Sequence, residues 1–249
     1  MLMSVISRQC EYVAMPELSG ARVLITGLTS SSGFDLARSF ADHGARLIIQ
    51  SPEDTPEMTE LAAVLAESSS DIKLFNDPLQ SDEEAARLVQ SAVQEFGGLD
   101  VVVNLASVSS TAVAKLETVE DADALVAHAL RLPLRLTEVA ANRMRLVWIE
   151  GAILNVVRVP DVGGGRAMML SDLLRAELAD MTRSLAASWA EHGIRINAIG
   201  PTSSVAALGG HTAGSDADLA AIALQLASRR GGNVSGHLLD AEGASRRWC

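Results

Sequence analysis

A chain of 249 residues that is 48% apolar can bury a full core, which excludes global disorder. Its net charge of -11 offers no basic stripe for a phosphate backbone, so nucleic acid is not expected as a partner. No apolar run approaches the roughly 18 residues of a membrane span. The two cysteines, Cys10 and Cys249, lie near opposite ends and form neither a metal spacing nor a disulfide framework, which fits a reducing cytoplasm.

The opening stretch, residues 1–19, lacks the basic and apolar regions of a signal peptide and is expected to be a tail, with Met15 a second candidate start. The first element is then the apolar run 21–27, a buried-strand signal ending in glycine. Residues 31–45 place Leu36, Ala37, Phe40 and Ala41 at helical spacing, and Gly44 closes the helix. A strand over 46–50, a loop and second helix over 51–70, and a third strand over 72–75 follow. Ser81 and Glu84 form a capping-box pattern that opens a helix over 81–97. Strand four is expected over 99–106, and a long helical pattern spans 118–145, where Pro133 should kink or break it.

Strand five is expected over 151–157 and an amphipathic helix over 171–193, with Leu174, Leu178, Met181, Leu185 and Trp189 on one stripe. A sixth strand (194–200), a last helix (218–228) and a seventh strand (236–243) complete the pattern. Strands that read as solid apolar runs and alternate with helices indicate a mainly parallel sheet covered on both faces. The expectation is an α/β chain: one doubly wound Rossmann-type domain over 20–249, with about seven strands.

Between strand one and helix one, Gly27 and Gly33 bound a serine-rich turn. Such a turn lets backbone N–H groups and a helix N-terminus meet a pyrophosphate; alone, it reads equally as an ordinary strand–helix turn. The wider pattern resembles the short-chain dehydrogenase/reductase superfamily. Thr26, Gly27 and Gly33 match its T-G-x-x-x-G-x-G loop, with Ser31 at the middle glycine. Asn104 and Ala106 match its strand-four N-N-A-G, whereas Leu105 and Ser107 do not. Residues 181–201 are similar to the stretch after its active-site helix. Residues 236–244 resemble its C-terminal strand, with Glu242 in the aspartate slot.

This resemblance implies hydride transfer between a nicotinamide and a carbonyl or alcohol. It also implies four catalytic positions, a Tyr, a Lys, a Ser and an Asn. Here they are held by Ser171, Arg175, Arg158 and Ala129. The sole tyrosine of the chain is Tyr12, before strand one, and the only lysines are Lys73 and Lys115, so no shift of register restores the Tyr-x-x-x-Lys pair. A serine hydroxyl is a far weaker acid than a phenol tuned by a neighbouring cation. Arg175 keeps a charge able to meet a ribose or an anion. Arg158 is expected to be solvated or paired with a carboxylate at a strand end.

The cofactor residues implied by the resemblance are Gly27, Ser30, Ser31, Ser32, Gly33, Ser51, Asn104 and Ala106. Strand two ends in Gln50 and Ser51, with Glu53 and Asp54 beyond, and provides neither the usual acid for a ribose nor a base for a 2′-phosphate. NAD or NADP binding is therefore expected to be weak or absent. The stretch after Pro201 is short for a substrate lid, and His43, His128, His192, His211 and His237 form no metal pattern. The sequence points to a member without its catalytic residues, acting as a nucleotide-binding or partner subunit. The alternative is an active oxidoreductase with an unorthodox proton donor. Leu170 and Leu173 beside the stripe of helix 171–193 suggest a homo-oligomer, dimer or tetramer, or pairing with an active homologue.

Overall fold

Each apolar run expected as a strand pairs in parallel with its neighbours in the structure. This is a computed structural model that describes residues 15–160, 164–201, 203 and 215–240. The strands are β1 (Arg22–Thr26), β2 (Arg46–Gln50), β3 (Asp71–Phe75), β4 (Val101–Ser107), β5 (Ala152–Arg158), β6 (Arg195–Gly200) and β7 (Leu238–Asp240). Their order is β3-β2-β1-β4-β5-β6-β7, all parallel, so the chain reverses direction of travel between β1 and β4.

Helices α1 (Phe34–Asp42), α2 (Pro56–Ala66), α3 (Asp82–Phe96), α5 (Val119–Leu146), α6 (Gly165–Trp189) and α7 (Asp216–Ala227) cover the two faces, and a short α4 (Ser110–Ala114) follows β4. Side chains alternate across a strand, and this alternation divides the core. Val23, Ile25, Leu47, Ile49, Val103 and Val156 face one layer with Phe40 of α1 and Leu224 of α7. Leu24, Ile48, Val102, Ile153 and Ile196 face the other with α3, α5 and α6.

Several boundaries differ from the sequence reading. The expected tail over 1–19 contributes a 3-10 turn at Pro16–Leu18, whose Leu18 is buried against the α1 side of the sheet. Pro133 does not break α5, which runs as one element past a buried Pro133. Packing of Leu130, Leu136 and Ala140 on both sides of it outweighs the lost hydrogen bond. Helix α6 begins at Gly165, six residues before the expected start, because Ala167 and Leu170 continue its buried face. No helix among the described residues is long and apolar enough to cross a membrane.

Candidate functional site

Reversal of strand order between β1 and β4 opens a crevice at the carboxyl ends of the strands, the place where open α/β sheets bind ligands. A cavity of about 580 Å³ lies there, walled by Thr26, Gly27, Gln50, Asn104, Ala106 and the α5 residue Ala129. His128 and Arg131 stand at its exposed rim. A roomier cavity of about 850 Å³ lies at the opposite, amino ends of the strands. Its Arg195, whose pKa burial pushes down, donates to the carbonyls of Leu226 and Gly231. That site has no glycine loop, so the switch-point cavity is the functional candidate.

A polar ladder floors this cavity. Thr26 is in register with Asn104, and Asn104 with Asn155, so all three project toward α5 from adjacent central strands. Each is fully or almost fully buried. The Thr26 hydroxyl donates to Asn104 Oδ1 at 3.1 Å, Asn104 Nδ2 donates to Asn155 Oδ1 at 2.8 Å, and the Thr137 hydroxyl from α5 donates to the same Asn155 oxygen at 3.0 Å. The sequence reading took Asn104 as a cofactor residue. The fold engages its carboxamide in tying strand to strand to helix, while Ala106 lines the cavity beside it.

The glycine loop closes the cavity's other side. Gly27 (φ +73°) must be glycine: a Cβ there would lie 2.1 Å from the Leu105 carbonyl oxygen. Gly33 (φ +91°) abuts the Leu105 side chain in the same way, at 2.5 Å. Leu105 stands where the family resemblance has its second asparagine, and its bulk holds the loop against β4.

Six of the seven backbone amides from Gly27 to Gly33 donate to protein acceptors. Gly27 donates to Gln50 Oε1 (2.9 Å), Leu28 to the Gln50 carbonyl (3.2 Å), and Thr29 and Ser32 to each other's carbonyls. Ser30 donates to Glu53 Oε2 (2.8 Å) and Gly33 to Asp216 Oδ2 (2.9 Å). Ser51 is fully buried, and its Oγ accepts the Glu53 amide (3.0 Å), which fixes Glu53 against the loop. Among the other loop serines, Ser31 pairs its hydroxyl with that of Thr29.

Asp216 comes from α7, and local chemistry explains its aim. Ser215 and Asp218 form a capping box that satisfies the start of α7, leaving the Asp216 carboxylate free to turn toward α1. There it also pairs with Arg158 at the end of β5, and Arg158 Nη1 donates to Ser32 Oγ at 3.1 Å. Glu53 and Asp216 were not singled out from sequence as loop partners. Asp216 lies 183 residues from Gly33, and no local pattern announces the contact.

The four positions to which the family resemblance gives catalytic roles are built as follows. Ser171 is buried at 7% exposure on α6, between Leu170 and Leu174, which are fully buried. Arg175, one turn on, donates to the Pro201 carbonyl (2.7 Å) and pairs with Asp240 of β7 (2.5 Å). Arg158 is engaged by Asp216 and Ser32, and Ala129 contributes only a methyl group to the cavity wall. Lys73 lies on β3 in an ion pair with Glu95, and Lys115 caps α4. Tyr12, His211, Glu242 and the shortened stretch over 204–214 lie outside the described residues. Among the described residues no group of His, Cys, Asp and Glu could hold a metal ion.

A nicotinamide dinucleotide tests this geometry. The cavity beside Gln50, Pro52 and Asn104 has room for a nucleoside. In the loop as arranged, the Ser30 and Gly33 amides, donors a diphosphate would use, donate to the chain's own carboxylates.

Comparison with known proteins places the fold. The family model described as enoyl-(acyl carrier protein) reductase matches residues 27–234. An uncharacterized oxidoreductase of Thermotoga maritima is 32% identical over 73% of this chain and 71% of its own length. Galactitol 2-dehydrogenase of Agrobacterium fabrum is 29% identical over 74% and 70%. Among solved structures, the NADH-dependent reductase A1-R′ complexed with NAD superposes with a TM-score of 0.71 at 26% identity, over 92% of this chain and 98% of its own. A short chain dehydrogenase from Mycobacterium smegmatis superposes at 0.72 with 23% identity, over 92% and 93%, a likeness of fold. With its seven-stranded parallel sheet, its switch-point cavity and these relatives, the chain belongs to the short-chain dehydrogenase/reductase superfamily, an oxidoreductase family built on the NAD(P)-binding fold.

Proposed function

We propose that this chain is a member of the superfamily that has lost tyrosine-dependent hydride transfer and works as a weak nucleotide-binding subunit, alone or beside an active homologue. The observation that carries the reading is the double engagement of its active-site cations. Arg175 is fixed by Asp240 and the Pro201 carbonyl, Arg158 by Asp216 and Ser32, and no phenol follows Tyr12 in the sequence. A cation neutralised by a carboxylate cannot lower the pKa of a neighbouring acid as the family's chemistry requires.

What this chain's own residues do is hold a cleft. Thr26, Asn104, Asn155 and Thr137 make its floor rigid, Gln50 bridges Gly27 and the Asp77 carbonyl across its side, and Leu105 buttresses the loop. A nicotinamide group would supply the hydride chemistry when bound; here none of the residues at the four catalytic positions is placed to move a proton.

Assembly is the property left for such a subunit to use. Leu170, one of the residues that suggested an interface, is fully buried in its own chain, and Leu173 is half-buried. Apolar groups more than a third exposed on these helices are Val119, Leu134 and Leu146 of α5 and Met169 of α6. Pairing through α5 and α6 fits the assembly mode that the family resemblance implies.

Steady-state assay of the purified chain tests the reading, with NAD, NADH, NADP and NADPH against a panel of ketones and secondary alcohols. No turnover is expected. A rate of about one per second or more on any of them, abolished by substitution within the cleft, would overturn it.

A further inference from the structure

The loop of a dinucleotide fold offers an anion two things, backbone amides at a helix start and a nearby cation. In this chain one side chain already takes both. Asp216 Oδ2 accepts the amide of Gly33, the residue that caps α1, and Asp216 Oδ1 is ion-paired with Arg158. Arg158 in turn donates to the loop hydroxyl of Ser32. The Asp216 side chain is 21% exposed, so solvent screens this arrangement only in part. Its helix does not require the contact, since Ser215 and Asp218 cap α7 between themselves.

Glu53 makes a parallel but weaker contact at the other end of the loop. It accepts the single amide of Ser30 at an exposed position and pairs with no cation among the described residues. Of the two carboxylates, Asp216 is the better held, by a charge-assisted hydrogen bond and a backbone amide together.

We infer that Asp216 is an internal competitor for a ligand's diphosphate, so that the first turn of α7 latches the glycine loop shut against anionic nucleotides. The inference rests on the reading of the cleft as a weakened nucleotide site. A diphosphate entering the loop meets a like charge and must exchange places with it. Once Asp216 leaves, the Gly33 amide and the Arg158 guanidinium are both released to the newcomer. The observed affinity is then the intrinsic affinity reduced by the fraction of molecules with the latch open. A nucleoside without phosphates uses the cavity between Gln50 and Asn104 and does not compete with Asp216 at all.

Calorimetric titration at one pH and one ionic strength separates these cases, with NAD and adenosine as the probes. Asp216→Ala is expected to bind NAD about ten-fold more tightly than wild type, or better, while adenosine affinity changes by less than about two-fold. Adding Arg158→Ala to that variant should remove the gain, because the released cation is what the diphosphate acquires. If Asp216→Ala does not fold, Asp216→Asn, which keeps the volume and loses the charge, should tighten NAD in the same direction.

Unchanged or weaker NAD binding in a folded Asp216 variant overturns the latch. So does an equal gain for adenosine, which would mean a cleft merely loosened, and so does an absence of detectable NAD binding in every protein at millimolar ligand. The reading of a weakened site is judged separately, by wild type alone. A sub-micromolar dissociation constant for NAD in the unaltered chain would remove that reading whatever the ratio between variants.

Discussion

Arg158 at the carboxyl end of β5 and Asp216 in the first turn of α7 are ion-paired across the mouth of the glycine loop. The pair joins the two halves of the sheet's carboxyl edge, and it puts a neutralised cation where the family resemblance has a serine.

Reinstalling the family's pair by Ser171→Tyr with Arg175→Lys should not create carbonyl reductase activity. Ser171 is only 7% exposed, and a ring in its place overpacks the α6 face by about 1–3 kcal/mol. The lysine would also lose the two-point hold on Pro201 and Asp240, and Arg158 would remain paired with Asp216 beside the glycine loop. The expected result is a lowered melting temperature and no ketone-dependent oxidation of NADH or NADPH. Measurable turnover by the double variant would contradict this account of the site.

Gly27→Ala should destabilise the chain by about 2–4 kcal/mol, the sum of a left-handed backbone penalty and an overpacking term. The added Cβ meets a backbone oxygen of β4, which has nowhere to go within a paired strand. Urea denaturation reads this directly, and a midpoint equal to wild type would show that the loop and β4 can separate freely.

Asn104→Ala should cost about 2–4 kcal/mol, because it strands the Thr26 hydroxyl and removes one of two donors from Asn155 Oδ1 inside the core. Thr137→Val removes the second of those donors and a long, 3.3 Å bond accepted from Asn104 Nδ2, leaves the Thr26 hydroxyl partnered, and should cost less. The ordering of the two variants in a thermal melt is the measurement.

Arg22 and Asp100 give the fold a pH dependence. Burial would raise the Asp100 pKa, but hydrogen bonds from the Arg22 side chain and amide, with its charge, hold it below the usual carboxylate range. A depressed folded pKa contributes stability that is complete above the unfolded value of about 3.9 and fades as pH falls through the folded one. Asp100→Asn should therefore be less stable than wild type by about 1–3 kcal/mol at neutral pH. That gap should narrow below about pH 4. A gap that stays constant down to acid pH would show that the pair contributes nothing through its charge.

If α5 and α6 pair between subunits, Leu134→Glu with Met169→Glu should lower the molar mass seen by light scattering at tens of micromolar while leaving the fold intact by circular dichroism. A wild-type chain already monomeric under those conditions removes the assembly proposal.

The strands were legible because a buried parallel strand must be apolar on both faces, and β1, β4, β5 and β6 have that pattern with little alternative. Helix ends were less so. The start of α6 at Gly165 has no side-chain cap, so its first turns carry no local signal. Pro133 misled in the opposite sense, since burial in a long packed helix overrides what its ring does in an isolated one. Of the site, the family resemblance already put Ser171 and Arg175 at the tyrosine and lysine positions. The roles of Glu53, Asp216 and Thr137 were not legible, for each meets its partner across the sheet edge or across layers. A lone threonine in a helix looks like any other polar filler until the strand beneath it is known to carry Asn155.

Because Pro133 brings no N–H to α5, the carbonyl of Ala129 has lost the donor that would normally reach it from four residues on. Ala129 and Pro133 both line the switch-point cavity. The Ala129 carbonyl is thus left without its helix donor in an element that walls the cavity. Substitutions at residue 129 would leave that oxygen in place, whereas Pro133→Ala would return it to the helix ladder.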